Sequence, residues 1–280
     1  MKKKLSLATL FALACSIGGT QASELVCTMS FMKGSVTDSG NRPVTVFYVT
    51  DGARLGHAVD GVCRLLSGTK GSKTECATVA VDVPERTAFL TPTASSLGRS
   101  GLETGGSPAG GRAAELVECL EKIVKPEVKR RLEGRAVTHV LMGHSFGGLF
   151  ALSTMASRPE LFDAWVAADP SLWWDGGVLI RMLEDKPAAG HSGAFVYAGF
   201  GSALRKTGGT TASRNLASEA RFRAALEGFA GPDAKVVVED YPRETHGTIA
   251  VPVFHEAMKR LLIRGVAGVA KQPVEGSDGR

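Results

Sequence analysis

The sequence predicts an α/β fold in which a mostly parallel central sheet is flanked by helices within a single domain. Short apolar, β-branched runs alternate with segments of helical periodicity along most of the chain, as in repeated strand–helix–strand units. The later apolar runs are continuous, which is typical of strands that are covered on both faces. The length of 280 residues suits one large domain with one sizeable core.

The predicted strands are short, and turn residues bound several of them. They cover residues 25–32, 44–50, 77–83, 136–142, 162–168, 194–199 and 235–241. Pro43 and the turn at residues 38–41 indicate that the first two strands form a hairpin. Helices are predicted around residues 53–67, 113–124, 146–156, 213–229 and 254–262.

Three segments stand apart from this alternation. Residues 84–111 are rich in Ser, Thr and Gly and too long for an ordinary connection, so we expect a substrate-side loop or lid. The α/β domain itself is expected to cover residues 23–264, and residues 265–280 are expected to form a flexible C-terminal tail. The third segment is the N-terminus.

Residues 1–22 are predicted to be a signal peptide. Three lysines form a basic start, residues 5–17 are apolar, and Ala22 ends a cleavage site of small residues. The apolar run is short for a bilayer span, so we expect no stable membrane insertion after cleavage and a periplasmic or secreted protein. Cleavage removes three lysines and no acidic residue, lowering the formal net charge from +5 to +2. Such a charge gives no indication of nucleic-acid binding.

The cysteines that follow this leader are Cys27, Cys63, Cys76 and Cys119. In an oxidising compartment, four cysteines can form two disulfides with three possible connectivities. Cys63 and Cys76 are closest in sequence and flank a Gly/Ser/Lys turn, so they are the favoured pair. Burial as small apolar side chains is the alternative. No C-x-x-C spacing occurs among them, and the sequence implies no metal or organic cofactor.

A nucleophile-elbow motif, Gly-His-Ser-Phe-Gly, lies at residues 143–147. It follows one predicted strand and precedes a predicted helix, which is the setting that G-x-S-x-G requires in α/β hydrolases. Glycine at positions 143 and 147 removes β-carbons that would collide where the helix passes close to the strand. The motif predicts the α/β-hydrolase fold with Ser145 as nucleophile, the alternative being an incidental serine on a glycine-rich turn.

A serine hydroxyl needs a general base, and the sequence holds six histidines. His246 alone lies on a short loop after a predicted strand, and it follows Ser145 as the chain order of this fold demands. We therefore predict His246 as the base, with a solvated loop histidine as the alternative. Position excludes His57 and His255 in helical patterns, His139 in a strand, His144 in the elbow and His191 ahead of its strand.

Four motifs together resemble the esterase D and enterochelin-esterase-like family. They are GHSFGGLF around Ser145, DPSLWWD from Asp169, FYVTDG ending at Gly52 and ETHGTI around His246. The resemblance runs in order over residues 29–263, nearly the whole mature chain. It implies an α/β hydrolase in a family that includes siderophore trilactone esterases, other carboxylesterases and some acyltransferases.

The resemblance also implies roles for residues around the nucleophile. The backbone N–H groups of Phe146 and Gly52 match the family's oxyanion hole, where a donor is worth roughly 3–4 kcal/mol to the transition state. Trp173 and Trp174 are expected to line the substrate pocket, with core packing as the alternative.

One departure from the family concerns the third catalytic residue. Many members carry an acid just after the strand predicted at 194–199, where this chain reads Phe-Gly-Ser-Ala-Leu. Asp169 ends the preceding strand and is predicted to orient Nδ1 of His246, the alternative being an Asx-type turn before proline. Asp175 is the second choice, and a Ser–His dyad without an acid is the third.

The leading functional hypothesis is a serine carboxylic ester hydrolase that forms an acyl-enzyme on Ser145. The expected partner is a small-molecule ester, and the resemblance and the leader favour a siderophore-type ester. An acyltransferase with the same residues is one alternative, because an acceptor alcohol then replaces water. A non-catalytic binding module that kept the fold is the other.

Overall fold

A computed structural model of the chain describes residues 12–16, 25–38, 40–185, 193–202 and 210–264. Its centre is a sheet of eight strands, β1 (Ala12–Ser16), β2 (Leu25–Met32), β3 (Val44–Thr50), β4 (Glu75–Asp82), β7 (Val137–His144), β8 (Ala164–Ala168), β9 (Phe195–Gly201) and β10 (Lys235–Tyr241). Their order across the sheet is β1-β2-β4-β3-β7-β8-β9-β10. A separate small hairpin joins β5 (Ala94–Ser95) to β6 (Ala109–Gly110).

Helices cover both faces of the sheet. They are α1 (Gly52–Ser67), α2 (Arg86–Leu90), α3 (Ala113–Cys119), α4 (Lys125–Arg131), α5 (Phe146–Ser157), α6 (Val178–Glu184), α7 (Thr210–Ala230) and α8 (Ala250–Lys259). A π-helical turn, Leu120–Val124, joins α3 to α4, and another, Arg260–Arg264, extends α8. The mostly parallel sheet flanked by helices confirms the predicted fold class.

Strand β3 explains why the later apolar runs are continuous. All seven of its side chains are buried. Val46 and Tyr48 pack into the core layer that contains α3, α5 and α6, whereas Phe47 and Val49 pack into the layer that contains α1 and α8. Because successive side chains of a strand point to opposite faces, a strand covered on both sides needs apolar residues at every position.

The predicted hairpin between the first two strands is wrong. β3 pairs in parallel with β4 and β7, and β2 instead pairs antiparallel with β4, with Thr28 opposite Asp82. The crossover helix α1 carries the chain from β3 to β4, which occupies one edge of β3. The turn around Pro43 therefore marks the start of a central strand and does not join two paired neighbours.

Residues 84–111, predicted as one long loop, contain regular structure. Helix α2 lies near their start, and its N-cap Glu85 accepts a hydrogen bond from the backbone of Thr87 at 3.0 Å. The β5–β6 hairpin lies further on. Both elements are too short to show a periodic pattern in the sequence, which is why composition alone suggested a loop.

Two disulfides connect strands to helices. The predicted pair Cys63–Cys76 is confirmed and joins α1 to β4, and a second bridge, Cys27–Cys119, joins β2 to α3. The sequence separations are 13 and 92 residues. In the chain-entropy model, loops of roughly these lengths are worth about 3 and about 4.7 kcal/mol of stability.

Part of the predicted leader has a described structure. Ala12–Ser16 forms the antiparallel edge strand β1 beside β2. The other residues of the leader, the predicted tail at 265–280 and His191 lie outside the described residues. In the part of the chain that is described, no helix combines the length and apolar character needed to cross a membrane.

Candidate active site

The predicted elbow lies where strand β7 meets helix α5. Ser145 has φ +59° and ψ −117°, a strained conformation for a residue other than glycine. A β-carbon on Gly143 would lie 2.3 Å from the carbonyl carbon of Gly147, and one on Gly147 would lie 2.1 Å from Oγ1 of Thr50. Both glycines are therefore required for the helix to pass this close to the strand.

His246 reaches Ser145 from the loop between β10 and α8. Its Nε2 lies 3.1 Å from Ser145 Oγ, and its Nδ1 lies 2.7 Å from Oδ2 of Asp169. A carboxylate only accepts hydrogen bonds, so Nδ1 carries the proton and Nε2 is free to accept the proton of the serine. The three side chains form one hydrogen-bonded series with the geometry of a catalytic triad.

Asp169 directly follows strand β8. Its backbone N–H donates to the Gly199 carbonyl on β9 at 2.7 Å, and its φ of +43° lies in the left-handed region that Asp tolerates. Asp175, the second choice for the acid, accepts a hydrogen bond from Thr93 Oγ1 at 2.9 Å. The expected contact of Asp169 with His246 is thus present, and its catalytic role stays a prediction.

The two backbone N–H groups expected to form the oxyanion hole each lie at the N-terminus of a helix. Gly52 is the first residue of α1, and Phe146 is the first residue of α5. Within the described residues, neither N–H donates to a protein acceptor. A helix N-terminus carries partial positive charge, which suits a developing oxyanion. A β-carbon on Gly52 would lie 2.7 Å from the Ala80 β-carbon, so the close approach of α1 to β4 requires glycine there.

An open cavity of about 460 Å³ lies at Ser145. Asp51, Ala53, Arg54, Asp82, Arg86, His144, Ser145 and His246 line it. Arg86 donates to both carboxylate oxygens of Asp51, at 2.7 and 3.0 Å, and to the His144 carbonyl at 3.2 Å. It thereby connects Asp51, the residue before Gly52, to His144, the residue before Ser145.

A family model described as "Putative esterase" matches residues 27–203, more than half of the chain. The chain belongs to this esterase family. The matched region contains Ser145 and Asp169, whereas His246 lies beyond it.

Curated relatives of this esterase-family chain carry siderophore-related names. The siderophore enterobactin esterase of Emericella nidulans is 29% identical over 150 residues, which are 49% of this chain and 50% of that protein. The siderophore triacetylfusarinine C esterase of Aspergillus fumigatus is 38% identical over 71 residues, which are 25% of this chain and 24% of that protein. The matches therefore span half or less of these relatives.

Solved structures share the fold over most of the chain. The siderophore hydrolase EstB from Aspergillus nidulans has a TM-score of 0.72 at 19% identity and covers 97% of this chain and 100% of its own. The IroE-like serine hydrolase from Shewanella oneidensis has a TM-score of 0.74 at 20% identity, with 91% and 80% covered. At these identities the likeness establishes the α/β-hydrolase fold of the esterase-family chain.

The two tryptophans predicted for the pocket form an aromatic cluster with Phe146. Trp174 is buried, and its Nε1–H donates to the Thr93 carbonyl at 3.0 Å, so it packs under the 84–111 segment. Trp173 is only partly buried, and its ring lies 5.8 Å from Phe146 and 5.2 Å from the guanidinium of Arg99. Neither ring lines the cavity at Ser145, and their contact with substrate stays a prediction.

Three further residues beside this site were not predicted to belong to it. Arg54 and Arg86 reach it from distant segments, and the sequence alone does not report these contacts. His144 was set aside because it lies within the elbow, yet it is 96% buried and its ring lies 4.6 Å from that of His246. Its position directly before the nucleophile was the one signal available.

Proposed function

We propose that this protein hydrolyses carboxylic esters through an acyl-enzyme on Ser145. The observation that carries the proposal is the hydrogen-bonded series from Asp169 through His246 to the Ser145 hydroxyl, on a strained elbow that opens into a cavity. Membership of the esterase family supports the same reaction.

Ser145, His246 and Asp169 can together perform both halves of ester hydrolysis, the formation of the acyl-enzyme and its breakdown by water. His246 Nε2 takes the hydroxyl proton as Ser145 Oγ attacks the ester carbonyl carbon, and the N–H groups of Gly52 and Phe146 stabilise the resulting oxyanion. Protonated His246 then gives this proton to the leaving alkoxide, which departs as the alcohol. Water next loses a proton to His246 and attacks the acyl carbon, so that the acid leaves and the proton returns to Ser145. Throughout, Asp169 holds the imidazole and stabilises its protonated form.

For the substrate we propose a siderophore-type ester. The names of the curated relatives support this class, although the matches cover only half or less of those proteins. The open cavity is compatible with a bulky substrate, because its 460 Å³ faces solvent at the nucleophile and leaves an approach for the hydrolytic water.

The test is a hydrolysis screen with p-nitrophenyl esters and ferric catecholate lactones, with the Ser145→Ala variant as control. The expected result is release of free acid by the wild type at rates that the variant does not reach. Preferential transfer to an added acceptor alcohol identifies an acyltransferase and contradicts hydrolysis as the main reaction. Binding of the lactone without turnover by either protein indicates a binding module and contradicts catalysis.

We further propose that the protein is exported to the periplasm or secreted. The predicted leader supports export, and the two disulfides are of the kind that persists in an oxidising compartment.

A further inference from the structure

His144 contacts the machinery of the proposed reaction without taking part in its proton transfers. It is the last residue of β7, directly before Ser145, and 4% of its surface is exposed. Its Nε2 lies 2.7 Å from the backbone carbonyl oxygen of His246, and its Nδ1 lies 3.0 Å from Nη2 of Arg54. Both ring nitrogens are therefore engaged, each by a group with only one hydrogen-bonding role.

These two partners determine the proton position on the His144 ring. A carbonyl oxygen only accepts, so Nε2 must carry a hydrogen and donate it. The guanidinium of Arg54 only donates, so Nδ1 must keep its lone pair. The neutral ring protonated on Nε2 alone satisfies both. Burial, with smaller effects from His246 and Arg54, lowers the pKa of His144 to about 4, which keeps this form at neutral pH.

The hydrogen bond from His144 to the His246 carbonyl fixes the backbone of the residue that is proposed as the base. In the described part of the chain, no backbone amide donates to the His246 carbonyl. Asp169 fixes the His246 ring at Nδ1, but it does not fix the loop between β10 and α8. His144 connects that loop to the end of β7, so the backbone of the base is held by the residue directly before Ser145.

We infer that His144 is a positioning residue for ester hydrolysis, which holds the His246 backbone through Nε2–H while Arg54 selects the required tautomer. The inference rests on the proposed function. Misplacement of a catalytic group by about 1 Å can cost roughly 10²-fold in rate. Loss of this bond is accordingly expected to lower kcat by roughly 10- to 100-fold, with a smaller change in KM, because the bond holds the base and not the substrate.

The test compares His144→Phe, which keeps a ring without a donor, with His144→Gln, whose amide can donate from near the Nε2 position. We expect His144→Phe to show the fall in kcat, slower fluorophosphonate labelling of Ser145 and loss of the low-field proton resonance of His246 Nδ1–H. His144→Gln should largely restore kcat, the labelling rate and this resonance. Thermal melting of both variants checks that they fold.

A measurement on the unaltered protein keeps the inference testable if His144→Phe does not fold. In ¹⁵N-histidine NMR at pH 7, His144 should be neutral and protonated on Nε2. A charged ring, or one protonated on Nδ1, overturns the inference, as does wild-type kcat in folded His144→Phe or equal impairment of both variants. If no form turns over an ester, the proposed function fails, whereas the NMR result still decides the positioning of the His246 loop.

Discussion

Ser145 combines a strained backbone with a hydroxyl that contacts the His246 ring and lies 3.3 Å from the hydroxyl of Ser171. Its side chain contributes little packing, so Ser145→Ala removes the proposed nucleophile and is expected to leave the fold in place. We predict a fall in ester turnover of roughly 10³-fold or more. The variant should also fail to react with a fluorophosphonate probe, as judged by mass spectrometry.

A suitable control for this variant is Ser153→Ala. Ser153 is buried in helix α5, which follows Ser145, and its hydroxyl donates to the Phe150 carbonyl at 3.1 Å, away from the base. Probe labelling should persist in this control. Wild-type turnover by purified Ser145→Ala is the result that removes Ser145 from the mechanism.

Asp169 is proposed to orient the base, so its carboxylate charge and its acceptor oxygen are both expected to matter for turnover. In Asp169→Asn, the amide has the same shape, and Asn tolerates the left-handed φ of +43° at this position. An amide that donates to Nδ1 favours the wrong tautomer of His246. We predict a kcat reduced by roughly 10²- to 10⁴-fold with KM little changed, measured by steady-state kinetics on a p-nitrophenyl ester.

Asp175→Asn is the matched control, because Asp175 bonds to Thr93 and not to the base. Its kcat should stay within a few-fold of wild type. Full activity in Asp169→Asn would mean that Ser145 and His246 act as a dyad, and a larger loss in Asp175→Asn would reassign the acid.

At the scale of elements, the strand–turn–helix unit of β7 and α5 depends on its glycines. A β-carbon at residue 147 would lie 2.1 Å from Oγ1 of Thr50 on the neighbouring strand, so Gly147→Ala forces α5 away from β3. Overpacking costs roughly 1–3 kcal/mol of stability. We predict a loss of unfolding free energy of at least about this size, with loss of ester turnover, measured by urea unfolding and kinetics.

Gly228→Ala in α7 provides the comparison for a glycine that packing does not require. No atom lies within 4 Å of a β-carbon built there. Alanine in a helix interior is favoured by roughly 0.5–1 kcal/mol over glycine, so this variant should be slightly more stable. Equal unfolding midpoints for Gly147→Ala and wild type would show that the elbow tolerates a side chain.

The sequence predicted elements well where their patterns are local. The strands Leu25–Met32, Val44–Thr50 and Lys235–Tyr241 have the predicted bounds, and α1 begins one residue early. Pairing was predicted less well, because which strands become neighbours depends on crossovers that a local turn signal does not report. Helix α2 has only five residues, which is too short to show a helical periodicity in the sequence.

At the scale of the whole molecule, the site is an outcome of sheet topology. Ser145, Asp169 and His246 follow β7, β8 and β10, which lie in parallel, so their carboxyl ends share one edge of the sheet. The elbow motif, the chain order and the position of Asp169 at a strand end led to the prediction of these three residues, whose contacts are present and whose catalytic roles stay predictions. Contacts of Arg54 and His144 depend on side-chain packing between segments 90 residues apart, and no spacing rule reports them.

Residues Ala12–Ser16 lie within the predicted leader and also form strand β1, so cleavage of the leader removes a strand from the sheet. An edge strand pairs on one side only, so removing β1 leaves the order from β2 to β10 unchanged. The Cys27–Cys119 bridge still holds β2 to α3 after that removal.

We therefore predict that protein isolated from the periplasm begins at or near Ser23 by N-terminal sequencing. A variant in which an unrelated cleavable export signal replaces residues 1–22 also yields a protein that begins at Ser23. This variant should keep the melting temperature and ester turnover of the processed protein, because the catalytic edge and both disulfides are retained. Ala22→Tyr, which places a bulky residue at the cleavage site, is the control and should retain the leader. An intact Met1 on exported protein, or loss of cooperative unfolding in the chain that starts at Ser23, would show that β1 belongs to the mature fold.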